Sequence, residues 1–244
     1  MMIRRAKALP MPGPDLMRRV AGTDDPVWFV ESGRRSLGDI RSVLALADHD
    51  VDNAERMLDF GCGCGRVLRH LRDAAQRVEI HGVDTDGEAV DWLRTSLPFV
   101  HATAIEPLPP LPFPDEHFDL VINHSVLSHL PEDYQDAWLA ELSRVTRAGA
   151  LLELTVHGTH AFELLGVTLD GSGRDMSGIR DEFRNRGFVY VRDEAWKSSF
   201  PDYYQNAYHA PEYVFRHWGR FFEVKALVTR GALDFQDIVL LRHR

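Results

Sequence analysis

Met57-Leu58-Asp59-Phe60-Gly61-Cys62-Gly63-Cys64-Gly65-Arg66 changes character twice within one short run. An apolar segment leads into Asp59, three glycines alternate with two small residues, and the amphipathic Val67-Leu68-Arg69-His70-Leu71 follows directly. That order predicts a strand, a glycine turn and the start of a helix. Glycines let the backbone take conformations closed to other residues and let a ligand approach the main chain, while a helix N-terminus favours negative charge. The pattern implies a nucleotide-like cofactor over the turn.

The spacing narrows the choice. Dinucleotide-binding turns read G-x-G-x-x-G, with the third glycine set back for close helix packing. Here Gly61, Gly63 and Gly65 give G-x-G-x-G, with Asp59 ahead of them. Val78-Glu79-Ile80-His81-Gly82-Val83 reads as a second strand ending in Asp84, nineteen residues beyond Gly65. An acid about 20 residues along is placed to accept from both ribose hydroxyls. The combination resembles motif I and its following acid in the class I methyltransferases that use S-adenosylmethionine. Leu108-Pro109-Pro110-Leu111-Pro112-Phe113-Pro114-Asp115-Glu116-His117-Phe118-Asp119 also resembles the LPFPD-x-x-FD connection of the small-molecule members, between their third and fourth strands. The resemblance covers residues 55–155 and 210–244.

Composition sets the bounds. With 244 residues, 44% hydrophobic and 27% charged, the chain suits one well-buried α/β domain. Its 28 basic and 37 acidic residues leave a formal charge of −9, which argues against a nucleic-acid-binding surface. No apolar run approaches the ~20 residues needed to span a bilayer. The basic start, Met1 to Lys7, runs into Pro10, Pro12 and Pro14 rather than an apolar stretch, so no export signal is read and a cytoplasmic location is expected. Cys62 and Cys64 stand one residue apart, where a disulfide is strained and two thiolates alone make no zinc site, so both are expected as reduced turn fillers. No H-x-x-x-H pair accompanies an acid, and no metal is expected.

Along the chain, residues 1–25 read as a flexible arm rich in proline, glycine and charge, and 26–244 as a single domain. From Pro26 to Ala47 apolar residues recur at helical intervals, predicting one or two helices that in the family cap the cofactor pocket. A helix begins at Gly87 and ends before Pro98, a short strand lies near Phe99–Ala102, and Phe118–Asn123 reads as the fourth strand. The helix Glu132 to Val145 leads through Gly149 to a fifth strand, Leu151–Val156. Phe221–Val228 and Gln236–Leu241 form a closing hairpin. The expected fold is α/β: a three-layer, doubly wound, seven-stranded sheet, mostly parallel with an antiparallel C-terminal hairpin strand, preceded by helices. Residues 157–210 are expected as an inserted substrate-side lid.

The resemblance implies S-adenosyl-L-methionine as cofactor and S-adenosyl-L-homocysteine as its product. Asp59 would order the turn and reach the methionine amino group, with Gly61, Cys62, Gly63 and Gly65 beneath the cofactor. Asp84 would hold the ribose hydroxyls, Thr85 and Asp86 would flank the adenine, and Asn123 or His124 would line the methionine end. The acid that relatives carry after the third strand is displaced in Ala102-Thr103-Ala104-Ile105-Glu106, which leaves Glu106 or backbone groups for the adenine. On the acceptor side the candidates are His129, Trp196, Tyr203 and Tyr204 as substrate contacts. His209 is the first candidate base, His157 the second and His124 the third. A lone histidine is as readily a satisfied core residue, and aromatics at this density also form the core of a small insertion.

Methyl transfer from a sulfonium needs alignment above all, and a base only where the acceptor is a hydroxyl or ammonium. The expected function is methyl transfer to an oxygen or nitrogen of a small metabolite, a sugar or secondary-metabolite scaffold, by a monomer or homodimer without nucleic-acid or membrane partners. An NAD-dependent oxidoreductase is disfavoured by the glycine spacing and the closing hairpin. A non-catalytic cofactor-binding module is the third reading.

Overall fold

A computed structural model of the chain describes residues 8–171, 176–192 and 200–244. Five parallel strands come first: β1 (Arg56–Phe60), β2 (Glu79–Asp84), β3 (His101–Ala104), β4 (Phe118–Asn123) and β5 (Thr146–Val156). With β8 (Glu223–Ala232) and β9 (Gln236–Arg242) they make a seven-stranded sheet in the order β3-β2-β1-β4-β5-β9-β8. β9 runs antiparallel to both β5 and β8, so the odd strand lies inside the sheet. Strand order reverses between β1 and β4, and the carboxyl ends of strands at such a switch point form a ligand crevice.

The strands are apolar on both faces because helices cover both. On one side α2 (Pro26–Leu44) and α3 (Gly87–Ser96) bring Ile40, Leu44 and Leu93 against Met57, Ile80 and Leu240. On the other, α4 (Glu132–Val145) and α7 (Pro211–His217) bring Trp138, Leu142 and Val214 against Leu58, Val121 and Leu152. Capping residues fix where helices begin: the Asp25 side chain accepts from Val27 N at 2.9 Å ahead of Pro26, and Asp86 accepts from Ala89 N at 3.2 Å. The proline-rich loop is held by α4, where Glu141 accepts from Leu111 N at 2.6 Å and Arg144 donates to Phe113 O at 3.0 Å.

Two expectations need correction. The supposed loose arm contains α1 (Pro14–Ala21), closed by Gly22 in the left-handed conformation, with Leu16 and Met17 buried beside Phe29 and Cys64. Leu16, Met17 and Val20 form the stripe that pays for this ordering. After the glycine turn, no α-helix starts; Leu68–Leu71 is a 3-10 turn. Arg66, directly ahead of the expected helix start at Val67, is pinned by α2: its carbonyl abuts Gly33, and its Nη1 donates to Ser36 Oγ at 3.0 Å.

Within residues 157–210 lie α5 (Thr159–Gly171), α6 (Ser177–Arg186) and an antiparallel pair, β6 (Phe188–Val191) with β7 (Asn206–His209). His157 bridges to Tyr208, and His209 N donates to His157 O at 2.8 Å, so this region is fastened to the end of β5. Among the described residues no helix is long and apolar enough to cross a membrane.

Candidate active site

A cavity of about 990 Å³ opens at the carboxyl ends of β1, β2, β4 and β5. Its floor is the glycine turn. Gly61 N and Cys62 N both donate to Val83 O, at 2.8 and 3.0 Å, which ties the turn to β2. Asp84 then organises the rim: Oδ2 accepts from Gly63 N at 2.7 Å and Oδ1 from Asp86 N at 2.9 Å. Burial pushes its carboxyl above the ordinary aspartate value. Gly61 and Gly63 hold φ of +87° and +50°; a Cβ on Gly61 would strike Val126, and one on Gly63 would lie 2.6 Å from Val20 of α1. Gly65 departs from expectation. It does not line the cavity, and its missing side chain makes room for Leu93 and Leu97 of α3.

Polar groups on the cavity walls include Asp59, Arg66, Ser32 and His124. Asp59 is 5% exposed, and burial first, then the neighbouring charge of Asp84, pushes its carboxyl up to about 8. His124 Nε2 lies 3.3 Å from Glu153 Oε1, and Glu153 is 0% exposed with neither carboxylate oxygen hydrogen-bonded. Glu153 was missed from sequence, although an acid inside Leu151-Leu152-Glu153-Leu154 was the available signal. Asn123 does not line the cavity as expected: side chains alternate along β4, so with His124 facing inward Asn123 faces away and donates to Phe60 O.

Imidazoles and aromatic rings cluster on the walls as well. Ser125, at φ +64°, donates its N–H to Thr155 Oγ1 at 2.7 Å, and its carbonyl accepts from Tyr204 OH at 2.8 Å. The Gln205 carbonyl only accepts, so its 2.7 Å contact places a hydrogen on His129 Nδ1 and leaves Nε2 as an acceptor. Ser125 Oγ donates to that Nε2 at 3.1 Å while accepting from Gln236 Nε2 at 2.9 Å. Burial takes His129 down to about 4. His157 is 5% exposed, with Nδ1 buried and without a hydrogen-bond partner. Its ring meets His129 edge-on at 5.0 Å and lies 5.6 Å from Phe235. Burial, then the rings of His129 and His209, hold His157 well below the ordinary histidine value.

The fold therefore brings His124, His129, His157, Tyr203 and Tyr204 to the cavity that also contains Asp59, Gly61, Cys62, Gly63, Asp84 and Thr85. Trp196 lies outside the described residues. Ser125, Asn206, Phe235 and Gln236 are further lining residues not picked out as side-chain contacts from sequence. His209 is excluded from the cavity. Alternation along β7 turns Tyr208 inward and His209 to the opposite face, where it packs on Phe188 and Trp218. It is 1% exposed, its Nε2 pairs with Gln135 Oε1 at 2.9 Å, and burial lowers its pKa to about 3. His209→Ala should lower stability to urea by about 2–4 kcal/mol, through a cavity and an unpaired Gln135, while S-adenosylhomocysteine affinity in calorimetry stays within about twofold. A variant of native stability would return His209 to the list of functional candidates.

Glu79, His81 and His117 cluster with their ligand-type atoms within 4.8 Å, but they stand at the amino ends of the strands, outside the cavity.

Residues 57–149 match the family described as "Methyltransferase domain". That stretch, which holds the glycine turn, Asp84 and β1 to β4, is a methyltransferase domain. It is similar to the fatty-acid O-methyltransferase of Mycolicibacterium smegmatis, with 32% identity over 124 residues, 49% of this chain and 42% of the relative. It is also similar to the malonyl-[acyl-carrier protein] O-methyltransferase of Halorhodospira halophila, with 30% identity over 144 residues, 55% of this chain and 48% of the relative. These matches span less than half the length of either relative. A solved structure of an SAM-dependent methyltransferase from Methanosarcina mazei has a TM-score of 0.55 at 19% identity, over 81% of this chain and 96% of its own; that likeness is one of fold.

The residues lining the cavity fit S-adenosylmethionine as cofactor. Glycine backbone lies in the floor, an acid closes β2, and the buried Asp59 carboxyl stands on the cavity wall near the Arg66 charge.

Proposed function

We propose that this methyltransferase transfers the methyl group of S-adenosylmethionine to an oxygen or nitrogen of a small acceptor held between Ser125, His129, His157 and Tyr204. One observation carries the reading: the glycine floor and the imidazole-lined chamber are parts of the same cavity. The cofactor supplies a methyl group activated by a positive sulfur. Asp84 would hold the ribose hydroxyls, Asp59 and Arg66 the amino and carboxylate groups of the methionine end, and Thr85 with Glu106 the adenine. The aromatic chamber excludes water and fixes the acceptor's approach, and alignment of this kind supplies much of a displacement's acceleration. The similar proteins from M. smegmatis and H. halophila are both O-methyltransferases, which favours oxygen. A sugar hydroxyl or a hydroxyl on a secondary-metabolite scaffold falls within this proposal.

Calorimetry with S-adenosylhomocysteine and NAD tests it. S-adenosylhomocysteine should bind and NAD should not. Asp84→Ala should weaken binding about 30-fold, close to 2 kcal/mol, through loss of charge-assisted hydrogen bonds partly replaced by water. An unchanged dissociation constant in a folded variant would remove Asp84 from the site, and NAD binding in its place would overturn the cofactor.

A further inference from the structure

We infer that the acceptor is an apolar acid whose carboxylate oxygen takes the methyl group, with His157 positioning it as a neutral hydrogen-bond donor; this rests on the methyl-transfer reading above. The argument begins with which groups in the chamber are already engaged. His129 has one ring nitrogen donating to Gln205 O at 2.7 Å and the other accepting from Ser125 Oγ at 3.1 Å, so neither has room for an acceptor's proton. Ser125 Oγ is held by Gln236 at 2.9 Å as well, and the Tyr204 hydroxyl is committed to Ser125 O at 2.8 Å. His124 Nε2 lies 3.3 Å from Glu153 Oε1.

His157 is left, buried and with Nδ1 unpartnered. Among the described residues no carboxylate acts on its ring to raise its basicity. The groups facing it are His129, Tyr208 and Phe235, while His209 contributes a backbone N–H to the His157 carbonyl. Asp237, on the adjoining β9, turns its carboxylate over Gly158 and accepts from Arg230 N at 2.9 Å. Burial keeps the ring neutral, which makes it a poor proton acceptor and a suitable N–H donor.

With Asp59 and Asp84 assigned to the cofactor, no carboxylate among the described residues stands beside His157 to deprotonate an alcohol or an ammonium, but a carboxylic acid, with a pKa of about 4, arrives ionised at neutral pH. The acceptor oxygen gives a lone pair to the methyl carbon as the carbon–sulfur bond breaks, and that bond's electrons stay on sulfur. Anion and cation become a neutral ester and a neutral thioether, and no proton moves. The chamber's walls, Phe200, Tyr203, Tyr204, Tyr208 and Phe235, suit an apolar body behind the carboxylate.

The probes are decanoate and benzoate against decanol and benzyl alcohol, in calorimetry with protein loaded either with S-adenosylhomocysteine or with an analogue carrying an amine in place of the sulfonium. At least one carboxylate should bind the amine-loaded protein about tenfold or more tighter than the S-adenosylhomocysteine-loaded protein, because only the former meets its charge. The matching alcohol should bind about tenfold or more weakly than the acid. His157→Phe should cut carboxylate affinity about tenfold, and His157→Gln, which keeps an N–H donor, should restore most of it, with S-adenosylhomocysteine affinity unchanged in both. Turnover with S-adenosylmethionine, followed by mass spectrometry, should give a methyl ester at a rate flat between about pH 6.5 and 8.5. The acid assignment is overturned if neither carboxylate binds, if an alcohol is methylated at a rate climbing with pH, or if His157→Phe keeps native carboxylate affinity. Failure of S-adenosylhomocysteine itself to bind would instead remove the methyl-transfer reading.

Discussion

Gly63→Val is expected to weaken S-adenosylhomocysteine binding by at least ~100-fold, about 3 kcal/mol, in a protein that still folds. Gly63 holds φ +50°, a region where a side chain costs roughly 1–2 kcal/mol and a β-branched one more. A Cβ there lies 2.6 Å from Val20, and the two methyls beyond it must enter the cavity or push α1 away. The same residue donates its N–H to Asp84, so relief by backbone rotation breaks the 2.7 Å bond that shapes the rim. The sheet does not depend on this position, since the strands' core is built from residues such as Met57, Leu58 and Ile122. Circular dichroism should therefore be native-like while calorimetry shows no saturable heat. Native affinity in the variant would mean that the glycine turn is not the cofactor floor.

Asp59 gives the second large effect. Its carboxyl titrates near 8 in the folded protein because burial and the Asp84 charge disfavour ionisation, against about 3.9 in an unfolded chain. A raised carboxyl pKa means the folded state binds more protons over that window, so stability contributed by Asp59 is complete below about pH 4 and is lost as pH rises towards 8. Above pH 8 the folded protein carries a buried charge costing on the order of 5 kcal/mol relative to the neutral form. Asp59→Asn should consequently raise the unfolding free energy of the cofactor-free protein by several kcal/mol at pH 8.5 and by little at pH 4. Under the proposed role for Asp59, S-adenosylhomocysteine should bind native protein more tightly as pH approaches 8, and bind Asp59→Asn poorly throughout. Urea titrations at the two pH values check the first expectation; equal stabilisation at both would show that the carboxyl ionises normally.

What the sequence made readable was whatever rests on local spacing. The glycine turn, Asp84 at the end of β2, and the helix Glu132–Val145 all depend on residues a few positions apart, and each stands where its pattern placed it. The antiparallel strand beside β5 followed from a turn between two apolar runs. Which face a side chain takes was less readable. His209 and Tyr208 differ by one position, as do Asn123 and His124, and a single step along a strand reverses the side facing the cavity. Glu106, displaced in sequence from the usual acid position, does border a smaller pocket with Thr85 and Tyr203. Contacts across long separations left no pattern at all: Ser125 with Gln236, or His124 with Glu153, meet only because β4, β5 and β9 are neighbours.

α1 has a bearing on traffic through the site. Val20 rests over Gly63, and Arg19 spans the rim to Asp86 at 2.8 Å and Glu88 at 2.7 Å. Asp86 also caps α3 and lies two residues from Asp84, so the helix is fastened to the rim of the cavity. Under the proposed cofactor role of this cavity, a helix closed with or without an occupant would slow entry and departure by the same factor and leave affinity where it was. The two ion pairs are partly exposed, so dissolved salt screens them and loosens the helix. Residence time then becomes a property of ionic strength, set by a short helix rather than by the atoms that touch the cofactor.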